Sequence, residues 1–165
     1  QNCRFNKKII FICIGSDRST GDCLGPLIGS ILLKQLPRPV VTFGSLNSPV
    51  HALNLETTIT NIHKNYQGYK IVAIDACLGS RERVGFIEIG LGQIFPGSSL
   101  NKNLPPIGDI FINGIVNVGG FMDFMVLQST RLSAVLPMAR FIAQGIYEAI
   151  CKKQANEDSL ELLFN

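Results

Sequence analysis

Two aspartates in this chain stand where a paired carboxylate could do acid–base work. Asp22 follows the apolar run Lys8–Ile14 (KIIFICI) across a polar loop, and Asp75 directly follows the apolar run Lys70–Ile74 (KIVAI). Carboxylates brought within a few ångströms cannot both ionise cheaply, so one of them is driven to hold a proton. Such a pair activates water with one oxygen and protonates a leaving group with the other; alternatively, both grip a divalent cation. A coupled pair titrates as a unit, so spacing leaves open which aspartate is base and which is acid. Each also has a plainer reading. Asp22 precedes a helix pattern by two or three residues and has the position of an N-cap, worth ~1 kcal/mol. Asp75 could simply begin a turn.

The supporting candidates are polar residues near the same chain segments. Asp17, Arg18, Ser19 and Thr20 lie in the loop Gly15–Gly21 (GSDRSTG), Asn47 and His51 follow a second strand-like run, and Asn117 to Asp123 follow a fifth. Cys23 and Cys77 would need a base to act as nucleophiles, and His51 is the histidine on the right edge. Buried small hydrophobe is the commoner fate of such a thiol. Zinc is not expected, because the five cysteines contain no C-x-x-C pair and there are only two histidines, His51 and His63. The loop has phosphate-cradle spacing, yet Asp22 stands where a nucleotide loop places Lys and Ser/Thr, and a carboxylate there repels phosphate. No metal and no cofactor are expected.

The elements that must position these residues are read from periodicity. Lys8–Ile14, Val40–Phe43, Lys70–Ile74, Val84–Ile89 and a segment of Asp109–Asn117 have strand character. Leu24, Leu27, Ile28 and Ile31 recur at helical spacing, with Pro26 in the first turn and Pro37 and Pro39 as a stop. Leu53–His63 predicts a second helix. Leu132, Val135, Leu136, Ala139, Ile142, Ala143, Ile146 and Ile150 share one face of a last one, in which Pro137 forces a kink or a late start. Gly90–Gly108 reads as a long loop of the kind that is often functional. Alternating strands and helices imply right-handed crossovers and a mostly parallel, twisted α/β sheet with helices on both faces. Ligands of such sheets sit beyond the strand carboxyl ends, which is what singles out the residues above.

Composition narrows the function classes. Of 165 residues, 46% are hydrophobic and only 16% charged, which suits a sheet covered on both faces. The longest uncharged run, Pro39–Leu55, is broken by prolines, asparagines and a glycine, so no membrane span is expected. A net charge of +3 is too weak to steer the chain onto nucleic acid. The opening residues show no basic–apolar–small leader pattern, and an odd cysteine count suits free thiols in a reducing, cytoplasmic setting. The reading is one α/β domain over 1–165, its core at about 8–152 and a polar tail at 153–165. Nothing in the residues sets an oligomeric state.

Cys13–Gly29 (CIGSDRSTGDCLGPLIG), Val50–Glu56 (VHALNLE), Ala73–Gly79 (AIDACLG) and Leu104–Gly120 (LPPIGDIFINGIVNVGG) together resemble the YyaC family of bacterial sporulation proteins. That family is similar to the spore germination protease and, more remotely, to hydrogenase maturation endopeptidases of the HybD type. The resemblance implies a phosphorylase/hydrolase-like fold. It also implies an endopeptidase of sporulating cells acting on a protein or peptide substrate, or a catalytically silent binding or regulatory protein on the same fold. Thr20–Pro26 resembles the germination protease's T-P-D-x-L-G-P segment, with Gly21 in place of its proline; this places Asp22 on one catalytic aspartate and Asp75 on the other. In the hydrogenase-processing enzymes the corresponding acids bind a metal with a later histidine. No histidine follows His63 here, so the resemblance implies a water-activating aspartate pair.

Overall fold

The computed structural model describes residues 8–36, 40–97 and 104–164, with side chains up to residue 151. Its strands are β1 (Ile9–Cys13), β2 (Val41–Phe43), β3 (Lys70–Gly79), β4 (Ile87–Leu91) and β5 (Ile110–Val118), in one sheet of order β2-β1-β3-β5-β4. All neighbours pair parallel except β4, which lies antiparallel on the outer edge of β5. Helices α1 (Leu24–Gln35) and α4 (Leu132–Phe164) pack on one face and α2 (Leu55–Asn65) on the other; a short α3 (Asp123–Ser129) follows β5. This is the three-layer, mostly parallel α/β architecture expected from the residue pattern.

Burial on both faces explains why the strands read as unbroken apolar runs. In β1, Phe11 and Cys13 join the α1/α4 cluster, whereas Ile10 and Ile12 join the α2 cluster. No position of β1 is left for a polar residue. The amphipathic helix α2 contributes Leu55, Ile59 and Ile62 to its cluster, and α4 contributes Val135, Ala139, Ile142, Ala143 and Ile146 to the other.

Four local expectations need correction. The third strand does not end at Asp75 but continues to Gly79, because β5 supplies ladder partners as far as Val118 after β1 has stopped. The fourth strand starts at Ile87 rather than Val84, since Gly85 donates its N–H to Ile115 O from a turn that follows the 3₁₀ segment Arg81–Arg83. Helix α4 starts before Pro137, forfeiting the bond to the Ser133 carbonyl, and its backbone runs on to Phe164 where a polar tail was expected. Helix α3 had no periodic signal, being seven residues long. The loop after β4 is closed by a bridge between Ile94 and Ile107. Its residues 98–103, like the helix stop at Pro37 and Pro39, lie outside the described residues.

Gly145 in α4 has nothing within 4 Å of the place a Cβ would occupy. Gly145→Ala is therefore expected to stabilise the protein by about 0.5–1 kcal/mol, seen as a Tm rise of a few degrees in a thermal melt.

Candidate active site

Successive connections leave β1 in opposite directions, α1 carrying the chain to β2 on one side while β3 lies on the other. The crevice between the carboxyl ends of β1 and β3 is thus the topological switch point of the sheet. The last ladder bond there runs from Ile14 N–H to Ile74 O at 2.7 Å. Beyond it β1 peels away: Gly15 N–H donates to Val50 O at 2.8 Å and Ser16 N–H to Asp22 O at 3.1 Å. Gly15 has φ +140°, and a Cβ on it would lie 2.0 Å from the Asp22 carbonyl oxygen. Only glycine lets the loop fold back this closely and bring Asp22 to the crevice.

Asp22 lies inside a 3₁₀ turn, Gly21–Cys23, and the residue preceding α1 is Cys23, with no side-chain cap. The N-cap alternative for Asp22 is therefore not what the fold uses. Asp75, one place past Ile74 in β3, is 9% exposed, and its Oδ1 accepts the Ala76 N–H at 2.8 Å. Burial, and then the charge of Asp22, push the Asp75 carboxyl well above the usual carboxylate range, against the opposing pull of the Ala76 N–H. The Asp22 charge thus adds to burial in favouring the protonated form of Asp75.

Two cavities meet at this pair. One of about 460 Å³ is lined by Asp17, Arg18, Ser19 and His51 together with Leu53 and Phe124. Another of about 490 Å³ is lined by Cys77, Glu88, Gln93, Phe95 and Asn113. Asp22, Asp75 and Gly97 line both. Asp75 is in register with Asn113 of β5, and Asn113 with Glu88 of β4, so the three form a polar row across the sheet. Glu88 is ion-paired with Arg83. Glu88, Gln93 and Asn113 were not foreseen. The signal for Asn113 was an isolated amide inside an apolar strand; Glu88 becomes a neighbour only through antiparallel pairing.

The other candidates divide. Asp17 and Arg18 are exposed at the rim of the first cavity, and the Ser19 hydroxyl is buried there with no hydrogen-bond partner. His51 lines the same cavity, and its Nδ1 accepts the Leu53 N–H at 3.2 Å. Thr20 lines neither cavity and accepts Cys23 N–H through its carbonyl at 3.3 Å. Asn117 also lines neither: it donates to Thr130 Oγ1 at 3.1 Å, and Thr130 donates to Val126 O at 2.7 Å, tying β5 to the end of α3. Asn47 is exposed outside both.

The thiols are held neutral. Burial pushes Cys13 up and takes Cys77 to about 11; Cys23 is raised by burial and then by Asp17 and Asp22. None has the electropositive setting of a nucleophile.

Residues 1–145 match the family described as protein of unknown function (DUF1256). The chain belongs to the DUF1256 family. A relative is the uncharacterized protein YyaC of Bacillus subtilis (strain 168), 48% identical over 140 residues, which are 85% of this chain and 68% of that protein. Among solved structures, the fold is shared with the [NiFe] hydrogenase maturation protease HycI from Thermococcus kodakarensis KOD1. That match has TM-score 0.57 and 20% identity, over 88% of this chain and 94% of that one. It is shared also with peptidyl-tRNA hydrolase from Acinetobacter baumannii, at TM-score 0.53 and 12% identity over 90% and 91%. This DUF1256 chain thus has the fold of hydrogenase maturation proteases.

A resident cation of the kind the hydrogenase-processing resemblance implies needs a third carboxylate or an imidazole beside Asp22 and Asp75. Among the described residues no three His, Cys, Asp or Glu side chains gather as a metal-binding group. The donor chemistry of these residues does not fit such an ion. Among the described residues, too, no helix is long and apolar enough to cross a membrane.

Proposed function

We propose that this chain is an endopeptidase of sporulating bacteria in which Asp22 and Asp75 act on water as a base–acid pair. The observation that supports it is the coupling of the two: both line the same crevice, and Asp22 helps hold the proton on buried Asp75. In this reading the Asp22 carboxylate takes a proton from water as the water oxygen attacks the scissile carbonyl carbon. Asp75 then gives its proton to the leaving nitrogen as the C–N bond breaks. The proton acquired by Asp22 passes to Asp75, which restores the starting state. In this reading His51 and Ser19, which line the same cavity, belong to the substrate-binding side. A protein or peptide substrate and a cytoplasmic setting belong to the same proposal.

The test uses extracts of sporulating Bacillus subtilis cells lacking YyaC, supplemented with this chain. Mass spectrometry of newly formed protein N-termini should reveal a discrete set of cleavages that is absent with Asp22→Asn and with Asp75→Asn. Cleavages that persist in both variants would sink the aspartate mechanism. Extracts left uncut by the unsubstituted chain would favour a binding or regulatory protein on the same fold.

A further inference from the structure

Two of the exposed large apolar side chains line the first cavity. Leu53 is 92% exposed and Phe124 56% exposed, yet both line the cavity whose floor carries Asp22 and Asp75. Pro96 and Leu104 add to its wall. Phe121, Met122 and Met125, all more than half exposed, adjoin Phe124 in sequence. Contiguous apolar surface at a cleft marks a recognition site, and methionines suit surfaces that must adapt to varied partners.

The segment that presents this surface is held in place. Met122 is in the left-handed conformation at φ 53°, the one non-glycine residue with positive φ among those described, which implies a constrained backbone. Gly120 N–H donates to Asp123 Oδ1 at 2.8 Å, and Met122 O accepts the N–H of Met125 at 2.8 Å. On its inner side α3 buries Leu127 against Gly21, where a Cβ would come within 2.9 Å of the leucine side chain and carbonyl. One leucine therefore docks α3 beside the turn bearing Asp22, and its aromatic and thioether side chains face outward.

Charge selects the occupant. Asp17 and Asp22 line the cavity against Arg18, so an acidic peptide or an anionic lipid surface is disfavoured there, and a neutral or basic polypeptide is not. The second cavity mixes the polar residues Glu88, Gln93 and Asn113 with the apolar Phe95, Phe111 and Leu127. Resting on the peptidase reading, we infer that the Leu53–Phe124 cavity is a subsite for a bulky apolar side chain of an unfolded polypeptide. The apolar side chain adjoins the bond that reaches Asp22 and Asp75.

The probe is a set of short, unstructured, fluorescently labelled peptide pools, each with one fixed central residue in a randomised background. Binding is read by anisotropy on the full chain carrying Asp75→Asn, so that it does not depend on turnover. Pools fixed as Leu, Met or Phe are expected to bind at least about tenfold tighter than those fixed as Ser, Asp or Glu. Leu53→Ser and Phe124→Ser, both at exposed positions that tolerate a polar side chain, should each erase that preference. Equal binding of all pools, a preference for acidic pools, or a preference that survives both substitutions overturns the inference. So does a loss of the exposed patch to self-association that Phe124→Ser reverses, or α3-dependent binding to phosphatidylglycerol vesicles in place of peptide. An apolar preference in binding, with no cleavage by the unsubstituted chain, would instead remove only the peptidase reading; cleavage without the preference would remove only the subsite.

Discussion

Asp75→Asn is expected to abolish hydrolysis while making the protein more stable at neutral and alkaline pH. Loss of a general acid should lower turnover by about 10²–10⁴-fold, measured on the peptides identified as cleaved. The stability change follows from linkage. The folded-state pKa of Asp75 is raised, by burial first and by Asp22 second, so the folded protein binds a proton that the unfolded chain releases at lower pH. Its contribution is fully present below the unfolded pKa of about 3.9 and is lost as pH rises toward and through the folded value. Asparagine keeps an oxygen for the Ala76 N–H and carries no charge at any pH. Tm of the variant should therefore meet that of the parent near pH 4 and exceed it by a margin that grows as pH rises toward the folded-state value. Parallel Tm curves, or a variant less stable throughout, would show that Asp75 is not held protonated. Asp22→Asn removes the second cause alone: an Asp75 carboxyl relieved of that charge releases its proton more readily, so the parent's pH-dependent fall in stability should end at lower pH and be smaller.

Gly29→Ala should be the most damaging single methyl group outside the site. A Cβ at Gly29 of α1 would fall 1.7 Å from the Gly44 carbonyl oxygen and 3.2 Å from the Cys13 Cβ. The first contact is to backbone at the end of β2, which cannot rotate aside, so α1 must lift from the sheet. Overpacking of this kind destabilises by about 3 kcal/mol or more, equivalent to a Tm drop of roughly 6–12 °C for a chain this size. Because α1 begins directly after the turn that carries Asp22, hydrolysis should fall along with stability. Circular-dichroism melts and soluble yield measure the first effect. A Tm within a degree or two of the parent's would mean that α1 and β2 do not approach as closely as described.

The strand and helix pattern was legible because burial on both sheet faces leaves so few choices. After their leading lysines KIIFICI and KIVAI admit no polar position, and β1 and the start of β3 lie where those runs are. What local pattern missed was decided by partners far away in the chain. Asp75 looked like the end of a strand, yet β3 runs on to Gly79 because β5 pairs with it there. Asn117 looked like a site residue because it follows a strand, yet its amide is spent on Thr130 and α3.

For the candidate site, the sequence by itself offered the candidates: two aspartates that follow apolar runs, in a chain with only 12 acidic residues, with Asp17, Arg18, Ser19 and His51 as supporting residues. It determined neither which aspartate keeps the proton nor what surrounds them. Those depend on burial and on register. Asp75 lies buried inside the sheet while Asp22 is half-buried in a turn, and desolvation is the larger cause acting on Asp75. Glu88 and Asn113 join the row through cross-strand pairing, and Leu53 and Phe124 meet across a cavity although 71 positions apart in the chain (124 − 53). Residue type is local, whereas solvent exclusion and proximity are properties of the assembled chain, and only the tertiary structure could supply them.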